Sequence, residues 1–143
     1  MHTESLRQLV KQYKFDYAKA ASSVLADLLL ARVSELPSNT VIVPVPTVAA
    51  HIRHRGYDHI GLIARRFAKK RHLTLWPVIE RVGSDKQRGA GRSARIAQAK
   101  KAFRVRQTLD ATVPYLLIDD VVTTGATLKY AALALRAAGA REI

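Results

Sequence analysis

Apolar residues in the first half of the chain switch between helical spacing and short continuous runs. A first helix is predicted where they recur every three or four positions, at Leu6, Leu9, Val10 and Tyr13. The alanine- and leucine-rich residues 17–36 predict a second helix. The run "TVIVPVP" (40–46) predicts a short buried strand that is stopped by its prolines. After a basic loop, "DHIGLIARRFAKKR" (58–71) predicts an amphipathic helix with one apolar face, formed by Ile60, Ile63, Ala64 and Phe67.

The middle of the chain is more polar. The run "LTLWPVI" (73–79) predicts another strand, and Pro77 favours a position at the edge of a sheet. The basic residues 82–98 have too little apolar content for a core and predict a long mobile loop. Loops of this length in compact domains are usually functional or disordered. The run "FRV" (103–105) predicts a short strand.

The last third of the chain completes an α/β order. The run "YLLID" (115–119) predicts a buried strand and residues 126–140 predict a helix, with Gly139 suited to its C-terminal cap. Strands that alternate with helices indicate a parallel sheet with helices on both faces. We expect a single domain over residues 1–143. Because another strand is expected at the final "REI", either the chain is cut short or it ends in a frayed strand.

Charge is concentrated in one segment of a chain whose net charge is +13. Between His51 and Arg106 lie 16 Lys/Arg and 3 Asp/Glu, whereas the remaining residues carry 8 of each sign. A basic field attracts phosphate-rich ligands or nucleic acid. Its concentration in one segment favours a polyanion partner over a merely solvated surface.

Composition excludes several classes of site. The 143 residues contain no cysteine, which excludes disulfides, thiolate zinc sites and a cysteine nucleophile. The polar start "MHTESLRQLVKQYK" is unlike a signal peptide, and the apolar runs are too short to span a bilayer, so we expect a cytoplasmic protein without membrane insertion. His51, His54 and His59 are crowded together, but nothing else in their segment supplies further zinc ligands, which disfavours a metal site there.

Two adjacent acids follow the buried strand at 115–119. Ligands of open parallel sheets bind at the carboxyl ends of strands, where Asp119 and Asp120 are expected. The segment "TTGAT" (123–127) then opens a helix, whose free N–H groups, close backbone at Gly125 and threonine hydroxyls suit a phosphate. The acids suit sugar hydroxyls or a magnesium ion that bridges ligand oxygens, which together outline a ribose 5-phosphate. The alternative is that Asp120 caps the turn and Asp119 is solvated. Neither GxxxxGK[ST] nor GxGxxG is present.

These residues resemble a known family. "LLIDDVVTTGATL" resembles the phosphoribosyl pyrophosphate (PRPP) motif of type I phosphoribosyltransferases, and three further blocks, "VIVPVPT", "RHRGYDHIGLIAR" and "QRGAGRSARIAQAKKAF", are similar to those of ComF-type competence proteins. The third block matches the spacing Q…R..N…AF at Gln87, Arg95, Ala102 and Phe103. The chain departs from that pattern at three positions. Asp58 and His59 replace an asparagine and a glutamine, and Gln98 replaces an asparagine. The cysteine-rich N-terminal zinc module of many members is absent.

The resemblance implies a type I phosphoribosyltransferase-like fold with a hood loop that closes over PRPP, and Mg²⁺ as the cofactor. It assigns the ribose hydroxyls to Asp119 and Asp120, which are the catalytic candidates and also the candidate contacts for Mg²⁺ held through the ligand. The other implied contacts fall into three groups: Thr123, Thr124, Gly125, Ala126 and Thr127 for the 5-phosphate, Arg53, Arg55 and Gly56 for pyrophosphate, and Lys86, Arg88, Arg92 and Arg95 in the hood loop.

Three functions follow from this reading, in descending order. The first is a phosphoribosyltransferase that transfers the phosphoribosyl group to an unidentified acceptor, a base being favoured, in connection with DNA uptake. The second is a non-catalytic competence factor that binds single-stranded DNA through the basic segment, with PRPP as a regulatory ligand and competence-machinery proteins as partners. There, Tyr57 is the aromatic side chain favoured as an exposed stacking platform. The third is a basic structural or ribosome-associated protein, against which the intact PRPP motif argues.

Overall fold

A computed structural model of the chain describes residues 21–82, 102–120 and 124–143. The helix predicted around residues 6–13 therefore lies outside the described residues. In chain order the described elements are α1 (Ala21–Arg32), β1 (Val41–Pro44), α2 (Ala49–Arg55), α3 (His59–Arg71), β2 (Thr74–Leu75), β3 (Ile79–Arg81), β4 (Phe103–Val105), β5 (Tyr115–Ile118) and α4 (Ala126–Ala137).

Three of these strands form a parallel sheet in the order β2-β1-β5. The register of the central pair runs from Val41 opposite Tyr115 to Pro44 opposite Ile118, so both strands end at the same level. On the other side of β5, Pro114 forms a single parallel bridge with Glu142, and the Tyr115 N–H donates to the Glu142 carbonyl at 3.0 Å. The predicted parallel sheet is therefore present, and the final residues begin to pair with it.

The predicted strand at residues 73–79 is wrong as a single element. Thr74 and Leu75 pair with β1 at the edge of the parallel sheet, whereas Ile79–Arg81 pairs antiparallel with β4 in a separate two-stranded sheet. The two pieces flank Pro77, which has no N–H to contribute to a ladder. The edge position predicted from this proline is confirmed for β2.

Alternating side chains of the sheet are buried in two separate cores. Ile42 and Ile118 belong to the core on one face, where α1 and α3 pack. Val43 and Tyr115 belong to the core on the other face, with α4 and the β3-β4 pair. Because successive strand residues point to opposite faces, two short strands supply both cores. The predicted arrangement of helices on both faces is confirmed.

The helices follow the predicted pattern with local differences. In α3 the four predicted core positions are all buried. The second helix ends at Arg32 rather than at residue 36, consistent with the bias of a residue before Pro37 against helical backbone. The last helix ends at Ala137, and Gly139 follows its cap with a φ of +116°. None of the helices in the described ranges is long and apolar enough to cross a bilayer.

Candidate functional site

The carboxyl ends of β1 and β5 lie side by side at one edge of the sheet. Pro44 pairs with Ile118, and the Val45 N–H donates to the Ile118 carbonyl at 2.9 Å. The segment after β1 therefore lies beside Asp119 and Asp120, which directly follow β5. This is the edge at which parallel α/β sheets place their ligands.

The two acids make different contacts. An Asp119 carboxylate oxygen accepts the Asp120 backbone N–H at 2.9 Å, which fixes the start of the turn. Asp120 Oδ2 lies 2.6 Å from His59 Nε2, and only 12% of the Asp120 side chain and 4% of the His59 side chain are exposed. The alternative in which Asp120 caps the turn and Asp119 is solvated is wrong, because the local backbone contact is made by Asp119 and because Asp120 is oriented by a distant histidine.

His59 and Asp58 stand at the start of α3. Asp58 is the N-terminal cap residue in extended conformation, and its Oδ1 accepts a hydrogen bond from the Thr47 hydroxyl at 2.9 Å. Gly61 leaves room for this carboxylate, since a Cβ there would lie 2.6 Å from Asp58 Oδ2. Sequence reasoning did not assign a role to either residue. The available signal was that both positions depart from the resembled motif.

The turn before α4 is open to solvent. Gly125 adopts a left-handed conformation, with φ +72°, and α4 begins at Ala126. The Thr124 hydroxyl, Ala126 and Thr127 are exposed, and Thr124 Oγ1 accepts the Ala126 N–H at 3.4 Å. The first N–H groups of a helix and its dipole favour an anion at this end. Thr123 lies outside the described residues.

The basic loop predicted after β1 is largely helical. Residues 49–55 form α2, and Gly56 ends it in a left-handed conformation, donating its N–H to the Ile52 carbonyl at 2.7 Å. Gly56 therefore has a structural reason to be glycine, and its N–H is already used inside the protein. Arg53 is exposed, and its predicted contact with pyrophosphate, like that of Arg55, stays a prediction.

The prediction that Tyr57 is an exposed platform for bases is wrong. Its ring is buried, with 7% of the residue exposed, and it packs in the core between α1 and α3. The hood-loop candidates Lys86, Arg88, Arg92 and Arg95 lie outside the described residues.

The three crowded histidines do not come together. His59 is buried against Asp120, whereas His51 and His54 are exposed. Among the described residues no group of three or more His, Asp or Glu side chains is arranged to hold a metal ion.

Asp119 and Asp120 nevertheless fit a magnesium ion that is mainly held by a ligand. Mg²⁺ takes oxygen ligands, and in phosphate sites it is bound by one or two carboxylates together with phosphate oxygens and water. One oxygen of each acid accepts a hydrogen bond from the protein. The pair therefore suits a shared ion better than a site built entirely from protein groups.

Comparison with known proteins gives two relatives. No protein-family model and no solved structure matches the chain. It is 29% identical over 153 residues to Competence protein F of Haemophilus influenzae, a match that covers 99% of this chain and 66% of that protein. It is 27% identical to Competence protein ComFC of Bacillus subtilis, over 90% of this chain and 47% of that protein. The chain thus spans between about half and two thirds of the relatives' length, and it is a distant homologue of the ComF-type competence proteins.

Proposed function

We propose that this chain binds PRPP with magnesium and acts as a phosphoribosyltransferase-like protein in DNA uptake. The observation that carries the proposal is the order of features at one edge of the sheet. A buried parallel strand ends in two acids, and a left-handed glycine then opens a helix. The printed names of both relatives support a role in competence.

Each feature has a role in this proposal. Asp119 and Asp120 accept hydrogen bonds from the two ribose hydroxyls, and residues 123–127 donate to the 5-phosphate. Separating these roles avoids placing carboxylates against the phosphate, where like charges repel. The exposed cations near residue 53 and in residues 82–98 face the pyrophosphate. Bound magnesium would supply positive charge that stabilises the departing pyrophosphate.

The proposed reaction needs no covalent enzyme intermediate. A nitrogen lone pair of the acceptor forms a bond to C1 of the ribose while the bond from C1 to the pyrophosphate oxygen breaks, and pyrophosphate leaves with that electron pair. Positive charge develops on the sugar, and negative charge on the leaving group. Pre-positioned cations and donors stabilise the latter without reorganisation at the moment of reaction.

The test is calorimetric titration of PRPP into wild-type protein and Asp120→Asn, each with and without magnesium. Asparagine keeps the size of the side chain and removes its charge. A hydrogen bond to a charged group contributes about 1.5–3 kcal/mol, so the variant should bind PRPP about 10- to 100-fold more weakly. Screening of bases as acceptors, followed by pyrophosphate release, then tests transfer.

Asp110→Asn is the matched control. Asp110 precedes β5 at the opposite end of the strand, is exposed, and has a pKa held below its usual value by the backbone N–H and hydroxyl of Thr112. The same change of charge at this position should leave PRPP affinity unchanged. Absence of PRPP binding by folded wild-type protein, or equal losses in both variants, would contradict the proposal.

A second candidate function is binding of single-stranded DNA. The observation that favours it is a row of exposed cations on α3, opposite its buried face: Arg65, Arg66, Lys69 and Lys70. Lys70 also pairs with Asp27 on α1. The two functions are compatible, because a sugar-phosphate site at the sheet edge leaves this helix surface accessible.

A further inference from the structure

Two consecutive residues connect both halves of the candidate site. Asp58 accepts a hydrogen bond from Thr47, which follows β1, and His59 contacts Asp120, which follows β5. These partners are 11 and 61 positions away in sequence. One dipeptide at the start of α3 therefore contacts both strand-end segments.

The helix behind this dipeptide gives it a fixed position. His59 and Ile60 are buried in the first turn of α3, and Ile63 and Phe67 continue the buried face. Packed side chains of this kind sit in single rotamers. The contacts of Asp58 and His59 therefore refer Thr47 and Asp120 to the same rigid helix.

The chemistry of the His59 contact fixes the carboxylate of Asp120. An ionised carboxylate only accepts hydrogen bonds, so His59 Nε2 carries the proton in this contact. The contact is nearly closed to water, where hydrogen bonds to charged groups are stronger than at the surface. Asp120 is thereby held in one orientation before any ligand arrives, which lowers the cost of ordering the site on binding.

We propose that Asp58 and His59 form a clamp that sets the relative position of the two strand-end segments, with His59 as the positioning residue for Asp120. This inference rests on the proposed sugar-phosphate site and assigns it a further residue. It also accounts for the departure of the chain from the resembled asparagine–glutamine pair. An aspartate keeps the oxygen that accepts from Thr47, and a histidine keeps a nitrogen that donates to Asp120.

Two substitutions of His59 separate positioning from simple packing. His59→Leu fills a similar volume without a donor, and His59→Gln restores a donor at a similar reach. We expect His59→Leu to bind PRPP at least tenfold more weakly and His59→Gln to bind within about threefold of wild type. Affinities are measured well below the melting temperature of each variant, so that a loss of stability alone does not change them. Wild-type affinity in His59→Leu, or no rescue in His59→Gln, overturns the positioning role.

A second measurement uses the free protein and does not depend on PRPP. Long-range ¹H–¹⁵N spectra report the ring nitrogens of each histidine, and His59→Gln identifies the signals of His59 by their loss. We expect Asp120→Asn to shift the His59 nitrogens and to leave those of the exposed His51 unchanged. Unchanged His59 signals overturn the clamp. If wild type binds no PRPP while the His59 signals shift as expected, the clamp holds and the proposed ligand is wrong.

Discussion

At Gly139 the backbone has a φ of +116°, a region that side chains rarely permit. A Cβ at this position would lie 2.8 Å from the Leu109 carbonyl oxygen, a backbone atom that cannot rotate away. Leu109 in turn donates its N–H to the Ala138 carbonyl at 2.8 Å, so the turn after α4 is bonded to the segment before β5. Both backbone strain and a steric clash therefore oppose any larger residue here.

We predict that Gly139→Ala lowers the free energy of unfolding by about 2–4 kcal/mol, as measured by urea denaturation. The control is Gly56→Ala, which also has a positive φ, +76°, but has no atom within 4 Å of the added Cβ. That variant should lose only about 1 kcal/mol, the cost of left-handed backbone for alanine. Equal losses in the two variants would show that the contact with Leu109 adds nothing.

Residue roles were predictable where they depend on local sequence. The acids after β5 and the glycine before α4 are neighbours in the chain, so their shared location followed from the strand and helix patterns. The contact between His59 and Asp120 joins residues 61 positions apart, and no local pattern specifies it. Tyr57 illustrates the same limit, since its burial depends on how α1 and α3 pack around it.

At the scale of elements, α1 is joined to α3 by an arginine at its C-terminus. Arg71 Nη2 donates to the carbonyls of Leu30 and Val33, at 3.1 and 2.6 Å, and its guanidinium lies 5.9 Å from the centre of the Phe67 ring. The last carbonyls of a helix have no partner within the helix, and a cation at this end also opposes the helix dipole. Arg71 supplies both.

We predict that Arg71→Met destabilises the protein by about 1–3 kcal/mol, because methionine keeps the apolar stem and leaves both carbonyls without the donor. Amide exchange should increase most in the last turn of α1. Arg66→Met is the control on the same helix. Arg66 is exposed, so its loss should stay within about 0.5 kcal/mol. An effect of similar size in both variants would mean that helix propensity, rather than capping of α1, is responsible.

Elements with strong periodicity were predicted closely, and short ones were not. α3 combines a clear apolar stripe with length, and its bounds match the pattern within a residue. α2 has only seven residues, too few for a periodic signal, and follows directly from a strand and a proline-containing segment. The division of residues 73–79 into β2 and β3 depends on which strands are available as partners, which is a tertiary property.

For the whole molecule, the thinness of the central sheet matters. β1 and β5 contribute four residues each, and their alternating side chains enter two different cores. The α1 and α3 layer and the α4 layer are therefore linked mainly through these two strands. The α/β architecture followed from the order of elements, whereas the separate β3-β4 pair did not, because its partner strands are distant in sequence.

The distribution of charge predicts how the molecule meets a polyanion. If the cations of α3 bind single-stranded DNA, affinity should fall steeply with salt as counterions are released, with a slope near −0.7 per phosphate contacted. Fluorescence anisotropy of a labelled oligothymidylate, measured over a series of salt concentrations, gives this slope. We predict that the triple variant Arg65→Gln, Arg66→Gln, Lys69→Gln reduces its magnitude by up to about 2.

The control for that prediction removes three exposed cations from outside the basic segment, by Arg32→Gln, Lys129→Gln and Arg141→Gln. Both triple variants have the same net charge, so a general electrostatic attraction would weaken binding equally in the two. A local DNA surface on α3 requires that the control keep most of the wild-type slope. A slope near zero in wild type, or identical losses in both variants, would contradict DNA binding by α3. Because none of these six side chains belongs to the strand-end site, PRPP titration of the same variants tests whether the two functions are separable.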